Sequence, residues 1–253
     1  MKVSITANDL DDALAAVNRL AGDLPGRAVA DALNHSAFQA RIALHAEMAD
    51  VFKTPTPWTL KSVQVFEAKK TKLEAALWIN DYPVSKDLAP DRWLRAQVFG
   101  GPRTDKGLEK LLRGKGILPA GRFVVPGAGA RLDRYGNLSP GHISQIKSGL
   151  GIADRAGYTG NASKNKRSED KGHAKAFFVI RRGKTPIGIA ERRGEDKVVV
   201  VLAFVRQPFY RRRLDFHGVI GRVAGEQLET NVDIAITKAL NGTLGKGYKR
   251  PRG

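Results

Sequence analysis

Two stretches of helical apolar period, one near each end of the chain, bracket a middle whose period is two, and this restricts the fold to a mixed class. In residues 25–51, Val29, Leu33, Phe38, Ile42, Leu44 and Met48 recur near helical spacing with Ala between them, and Pro25 suits a first turn. In residues 216–240, Val219, Val223, Leu228, Val232, Ile236 and Leu240 do the same. Between them, Val63 and Val65 alternate with polar partners, the charged turn Lys69-Lys70-Thr71-Lys72 follows, and Leu73, Ala75, Leu77 and Ile79 resume the alternation. That pattern predicts an antiparallel hairpin. Residues 176–181, 187–191 and 198–205 predict three further strands joined by tight turns, an antiparallel meander. The expected fold is therefore α+β, an antiparallel sheet flanked by long N-terminal and C-terminal helices.

The remaining segments are shorter. Leu10, Leu14, Val17 and Leu20 predict an amphipathic helix behind Asn8 or Asp9. The prolines of TPTPW at 54–58 end the first long helix, because each pushes its predecessor out of helical geometry. Residues 91–99 and 104–113 are helical candidates separated by Gly100-Gly101-Pro102, 123–125 a candidate strand, and Ser139-Pro140 an N-cap and first residue for a helix over about 141–150. The whole reads as one domain, 1–253, with a helical and loop insertion at about 83–150, a mobile basic loop at about 151–175 and a flexible basic tail at about 242–253. No internal repeat of 20–50 residues is visible.

Charge and chemistry narrow the function. The chain carries 43 Lys and Arg against 25 Asp and Glu, a formal charge of +18, which calls for a polyanionic partner or an acidic neighbour. No apolar run approaches the roughly 18 residues that cross a bilayer, and the polar, acidic start is unlike a secretory signal, so synthesis in a cytoplasm and no membrane partner are expected. With no Cys there are no disulfides, thiolate nucleophiles or Cys-based zinc sites. The five His form no HxxxH or HExxH pair, so no metal site is expected.

The segment 124–146, VVPGAGARLDRYGNLSPGHISQI, could be taken for a phosphate loop. It lacks the GxxxxGK and hydroxyl of a Walker loop, and although Gly127 and Gly129 fit the first two places of GxGxxG, the third falls on Leu132. It reads instead as a turn-rich connector whose Pro126, Gly127, Gly129, Arg131 and Tyr135 are candidate subunit contacts. Glu191, Glu195 and Asp196 flank a turn beside Arg192 and Arg193 without recognisable nuclease spacing. No catalytic or cofactor-binding residue is assigned. Three basic clusters are candidate contacts for DNA or an acidic partner: Lys164, Lys166, Arg167 and Lys171 in the loop, Arg211-Arg212-Arg213 after Pro208-Phe209-Tyr210, and Lys249, Arg250 and Arg252 in the tail. No recognition-helix, zinc-finger or RNP signature points to base reading.

The order of these elements carries a resemblance. A long N-terminal helix with Ala32-Leu33-Asn34-His35-Ser36-Ala37, then TPTPWTLKS, GAGARLDRYGNLSPGHI, a basic loop, strands, RQPFYRRRLDF and a long terminal helix resemble the tail-completion and neck proteins of long-tailed bacteriophages and prophages, in particular the minor tail protein Z group. The similarity runs over most of the chain, and its motifs are structural signatures. It implies a virion component without catalysis or cofactor, at the head–tail junction or tail end, made in the host bacterial cytoplasm. Its partners would be its own copies in a ring and neighbouring neck, tail-tube or tail-terminator proteins, with DNA in the channel a further candidate. The alternatives from other classes are a sequence-independent DNA-binding protein and a metal-dependent phage nuclease using carboxylates.

Overall fold

The structure, a computed structural model, describes residues 1–6, 22–81, 89–152, 176–194 and 196–244. The helix expected at 10–20 lies outside them. The fold is α+β, with antiparallel strands flanked by the long N-terminal and C-terminal helices. The chain separates into two compact units, however, where a single domain was expected: Met1–Gly100 with Arg211–Gly253, and an inserted Gly101–Tyr210.

In the first unit, strand β1 (Lys2–Thr6) leads to helix α1 (Leu24–Val51), the short helix α2 (Pro57–Lys61), strands β2 (Val63–Phe66) and β3 (Glu74–Ile79), helix α3 (Pro90–Phe99) and, after the insertion, helix α6 (Phe216–Leu240). The sheet order is β1-β3-β2, all antiparallel, with Val3 opposite Leu77 and Val65 opposite the same residue. Alternation sends Val3, Ile5, Val63, Ala75, Leu77 and Ile79 to one core that also takes Leu33, Leu44 and Met48 of α1 and Phe216 and Ile220 of α6. The prolines at 54–58 end α1, as expected, but they also start α2: Pro57 occupies its first turn and the Thr56 side chain accepts from Thr59 N at 3.1 Å.

α1 and α6 pack antiparallel. Ala28 and Ala32 meet Ala235 and Ala239 at one end, Ser36 and Gln39 meet Asn231, and Gln39 meets Gln227 farther along. Alanines on both helices let the backbones approach closely. Buried Asn231 then donates to Ser36 Oγ and Gln39 Oε1, both at 2.8 Å, which fixes the register of the pair. Asn34, two residues before Ser36, donates to Ala68 O at 3.1 Å and accepts from Ala68 N at 2.6 Å, tying the β2–β3 hairpin to α1.

Three expected boundaries move. The insertion was placed from about residue 83, yet α3 belongs to the first unit because Leu94 and Val98 bury in its core. Residues 151–152 and 242–244 were grouped with loop and tail, yet Ile152 is buried and donates to Lys147 O, and Thr243 N closes α6 on Lys238 O while Leu244 packs beside the Ala cluster.

The inserted unit holds β4 (Gly101–Pro102), α4 (Gly107–Gly114), β5 (Arg122–Pro126), α5 (Pro140–Gly149), β6 (Phe177–Arg182), β7 (Thr185–Arg193), β8 (Lys197–Arg206) and β9 (Phe209–Tyr210). β6, β7 and β8 form the expected meander, and β5 joins it to give the antiparallel order β5-β8-β7-β6. β4 pairs with β9, closing the unit where its two ends enter and leave. Leu112, Leu118, Ile146, Phe177, Ile189, Leu202 and Phe204 make its separate core.

Candidate functional site

The connector at 127–139 closes onto its own sheet. Gly127 N donates to Val201 O at 3.0 Å and Gly129 N to Val200 O at 2.8 Å, so the chain runs tight against β8 after β5 ends. A Cβ on Gly127 would overlap the Val200 carbonyl oxygen, and one on Gly129 would lie 2.6 Å from Val199 Cγ2. Gly127 demands glycine because backbone passes over backbone there, and Gly129 because the Val199 side chain fills the space a Cβ would take. Beyond them Asp133 builds a turn, its Oδ1 accepting from Tyr135 N and Asn137 N at 2.9 Å each, and Ser139 N returns to Arg131 O at 2.9 Å. Ser139 then caps α5, its side chain accepting from His142 N at 3.4 Å.

Gly127→Ala is expected to lower the stability of the inserted unit by about 1–3 kcal/mol, the usual range for forced overpacking. Hydrogen exchange at the Gly129 and Val201 amides checks it, since a connector free to move aside would exchange no faster in the variant than in the parent.

A polar cluster sits beneath this connector. Glu191 of β7 is fully buried, its Oε1 accepting from Arg131 Nη2 at 2.6 Å and its Oε2 from Arg193 Nε at 2.8 Å. Arg131 also donates to Gln145 Oε1, and Arg193 to Gly129 O, each at 2.8 Å. The two half-exposed guanidinium groups thus fasten connector, α5 and β7 to one carboxylate. His142, also buried, accepts at Nδ1 from Arg131 N at 2.9 Å, and its Nε2 has no hydrogen-bond partner while the ring lies 5.8 Å from that of Phe177. Burial first, and then the Arg131 charge, hold its pKa below the ordinary value of 6.5.

Because His142 takes a proton more readily unfolded than folded, its contribution to stability is fully present above pH 6.5 and is lost as pH falls through the folded value. His45 in the first unit, lowered by burial and Arg41, has the same sign. Urea midpoints should therefore fall between pH 7.5 and 5.5, and His142→Asn should flatten that fall for the inserted unit; an unchanged slope in the variant would remove His142 as its cause.

The cluster is a latch in its chemistry. Both Glu191 oxygens are taken by arginine, Ser139 Oγ accepts from His142 N as the cap of α5, and Ser144 Oγ donates to Pro140 O. Of the other carboxylates weighed for a nuclease, Asp196 is exposed and Glu195 lies outside the described residues. Among the described residues no group of three or more His, Asp or Glu is placed to hold a metal ion.

Gly127, Gly129 and Arg131 engage their own unit, whereas Pro126 is exposed and Tyr135 half-buried, with the Arg134 guanidinium 4.8 Å above its ring. Arg212 pairs with Asp215, the cap of α6. Arg213 donates to Gln97 Oε1 at 3.1 Å with its guanidinium over Phe52, and Arg211 is exposed. Two of these three arginines therefore hold the entry to α6. Lys164, Lys166, Arg167, Lys171, Lys249, Arg250 and Arg252 lie outside the described residues. Sequence reading did not single out Arg103 and Glu109, a buried ion pair that supports β5; a Glu three residues after the start of an apolar turn was the available signal. Comparisons with protein-family models, with curated proteins and with solved structures gave no match to this chain.

Proposed function

We propose that this chain is a structural protein of a tailed-bacteriophage virion, completing the tail or joining head and tail as one copy in a ring around the DNA channel. The observation that carries this reading is apolar surface left uncovered on the helix pair: Ile42 on α1 and Ile234, Ile236 and Leu240 on α6 are between 40% and 80% exposed, although the same helices bury a full core on their facing sides. A rigid helix pair with apolar residues on its outer flanks suits packing against a neighbouring copy, which closed rings require of every subunit. The order of the elements, the charge of +18 and the use of the most deeply buried carboxylates as fasteners support the same reading. Its partners are further copies of itself and neighbouring neck, tail-tube or tail-terminator proteins, in a particle assembled in the bacterial cytoplasm. Among the described residues no helix is long and apolar enough to cross a membrane.

Electron microscopy of lysates from a phage or prophage deleted for this gene, beside a complemented control, tests the proposal. Full heads next to separate tails of normal length are expected. Complementation by Ile236→Asp with Leu240→Asp should fail to restore joined particles, because charge on that flank opposes burial between copies. Intact joined particles in the deletion would sink the assignment.

A further inference from the structure

One end of the four-stranded sheet gathers cations without neutralising them. Arg122 of β5 stands directly opposite Arg206 of β8. Like charges facing each other across an antiparallel pair destabilise it. Counting outward from the Gly188–Ala203 pair brings Thr185 of β7 beside Arg206, and Thr185 in turn faces Arg182 of β6. The β6–β7 turn adds Lys184, and β6 adds Arg181, which donates to Lys184 O at 3.1 Å. At roughly 5 Å per strand, the row crosses all four strands in about 15 Å. Among the described residues no ion pair joins Arg122, Arg181, Arg182, Lys184 or Arg206 to a carboxylate. This contrasts with the other end of the same sheet, where Glu191 pairs with both Arg131 and Arg193.

The row is also rigid. Arg122 stands next to buried Phe123 and Arg206 two residues beyond buried Phe204, and the Arg122 carbonyl accepts from Arg113 Nη2 at 3.0 Å. The β6–β7 turn is fixed by the Arg182–Thr185 pair and by Gly183 at φ 60°. A fold that leaves like charges opposed on a fixed platform breaks a local rule that one Glu would mend, and such departures collect at functional surfaces.

We propose that this sheet end, Arg122, Arg181, Arg182, Lys184, Thr185 and Arg206, binds the phosphate backbone of duplex DNA. Guanidinium groups suit phosphate because their forked donors meet two oxygens at once, and a threonine hydroxyl is a further phosphate donor. Cations fixed on three of the four strands and on the β6–β7 turn, with no carboxylate among the described residues paired to them, form a field of one sign that matches a ligand of uniform, repeating charge better than an acidic peptide, whose carboxylates come in irregular clusters. Binding is independent of sequence, since these groups sit on strand ends and a turn with no element shaped to enter a groove. The inference does not rest on the virion reading: purified protein can bind DNA whatever the particles do, and particle joining can fail in a deletion whatever this row binds.

Fluorescence anisotropy of the full chain on a labelled mixed-sequence 30-base-pair duplex, across about 50–300 mM salt, is the test. The variant Arg122→Ala, Arg182→Ala, Lys184→Ala, Arg206→Ala should bind at least about tenfold more weakly at low salt and lose about 2 or more from the slope of log K against log salt, at about 0.9 per lost phosphate contact. A variant with equal charge removed from exposed positions of the other unit, Arg27→Ala, Lys53→Ala, Lys61→Ala, Arg222→Ala, should keep the parental slope. Arg182→Lys with Arg206→Lys should retain most binding, and the urea midpoint of the fourfold alanine variant should equal or exceed the parent's, which guards against loss of fold. Equal losses in the row and control variants, or none in either, would overturn the proposal. So would binding to polyglutamate that the duplex fails to displace, which would make the occupant an acidic polypeptide.

Discussion

Glu109→Ala should remove about 3–5 kcal/mol from the stability of the inserted unit, the range seen when one member of a buried ion pair is deleted. Glu109 is 1% exposed and Arg103 9%, and the two guanidinium nitrogens of Arg103 meet the two carboxylate oxygens. The same oxygens accept from Val124 N at 2.6 Å and Lys106 N at 2.7 Å. Deletion therefore strands a buried cation, lying over the Phe123 ring at 5.0 Å, and two backbone donors. Replacing both partners together, Arg103→Met with Glu109→Leu, should lose much less, because no charge is then left without its counter-charge. All three tryptophans, Trp58, Trp78 and Trp93, lie in the other unit, so hydrogen exchange at Val124 and along β8 is the suitable readout. A loss below about 1 kcal/mol for the single variant would mean that Arg103 reaches water when Glu109 is gone.

Phe216→Ala should cost the first unit about 3–5 kcal/mol, and Phe216→Leu distinctly less. Phe216 opens α6, is fully buried, and packs edge-on against His217 with ring centres 5.3 Å apart. It sits where α6 enters the core beside Leu214, whose N–H donates to Gln97 O at 3.0 Å, so the space left by truncation is walled by secondary structure and closes poorly. Tryptophan fluorescence in urea reports this unit directly. A midpoint within error of the parent's would show that the entry to α6 can collapse around the smaller side chain.

Much of the architecture was legible because it is local. The helix boundaries over residues 25–51, 91–99 and 216–240 follow from apolar spacing with prolines and glycines at their ends, and they match α1, α3 and α6 to within a residue. Ser139-Pro140 predicted the start of α5, and the Lys-rich turn at 69–72 predicted the β2–β3 hairpin, where Lys69 and Lys72 bridge. β1 escaped notice: Lys2–Thr6 alternates over too few residues to stand out, and its pairing with β3, Lys2 opposite Trp78, spans most of the first unit's N-terminal segment. The two-residue β4–β9 pair was equally invisible, since neither half has a period of its own.

The candidate site was legible in part for the same reason. Glycines 127 and 129 marked a special backbone path, and the absence of a Walker or dinucleotide pattern excluded a phosphate loop on residue types alone. What presses those glycines against β8 is a neighbour more than seventy residues downstream, which no local pattern encodes. Arg212 and Arg213 read as candidate contacts for DNA or an acidic partner in a triple-arginine run, and only the fold shows that Asp215 and Gln97 engage them. Arg122, Arg182 and Arg206, scattered in the chain, line up only because three antiparallel ladders bring their strand ends together.

The sequence by itself determined the α+β class, the long terminal helices, the hairpin and the meander, because dihedral preference, capping and apolar period act within one or two turns of a residue. Only the tertiary structure decided that the chain divides into two compact units, that Leu94 and Val98 belong to the core of the first, that Glu109 and Glu191 are buried against arginines, and that five cations share one sheet end. Those outcomes depend on which strands pair and which side chains lose water together, and both are set by contacts between residues far apart in the chain.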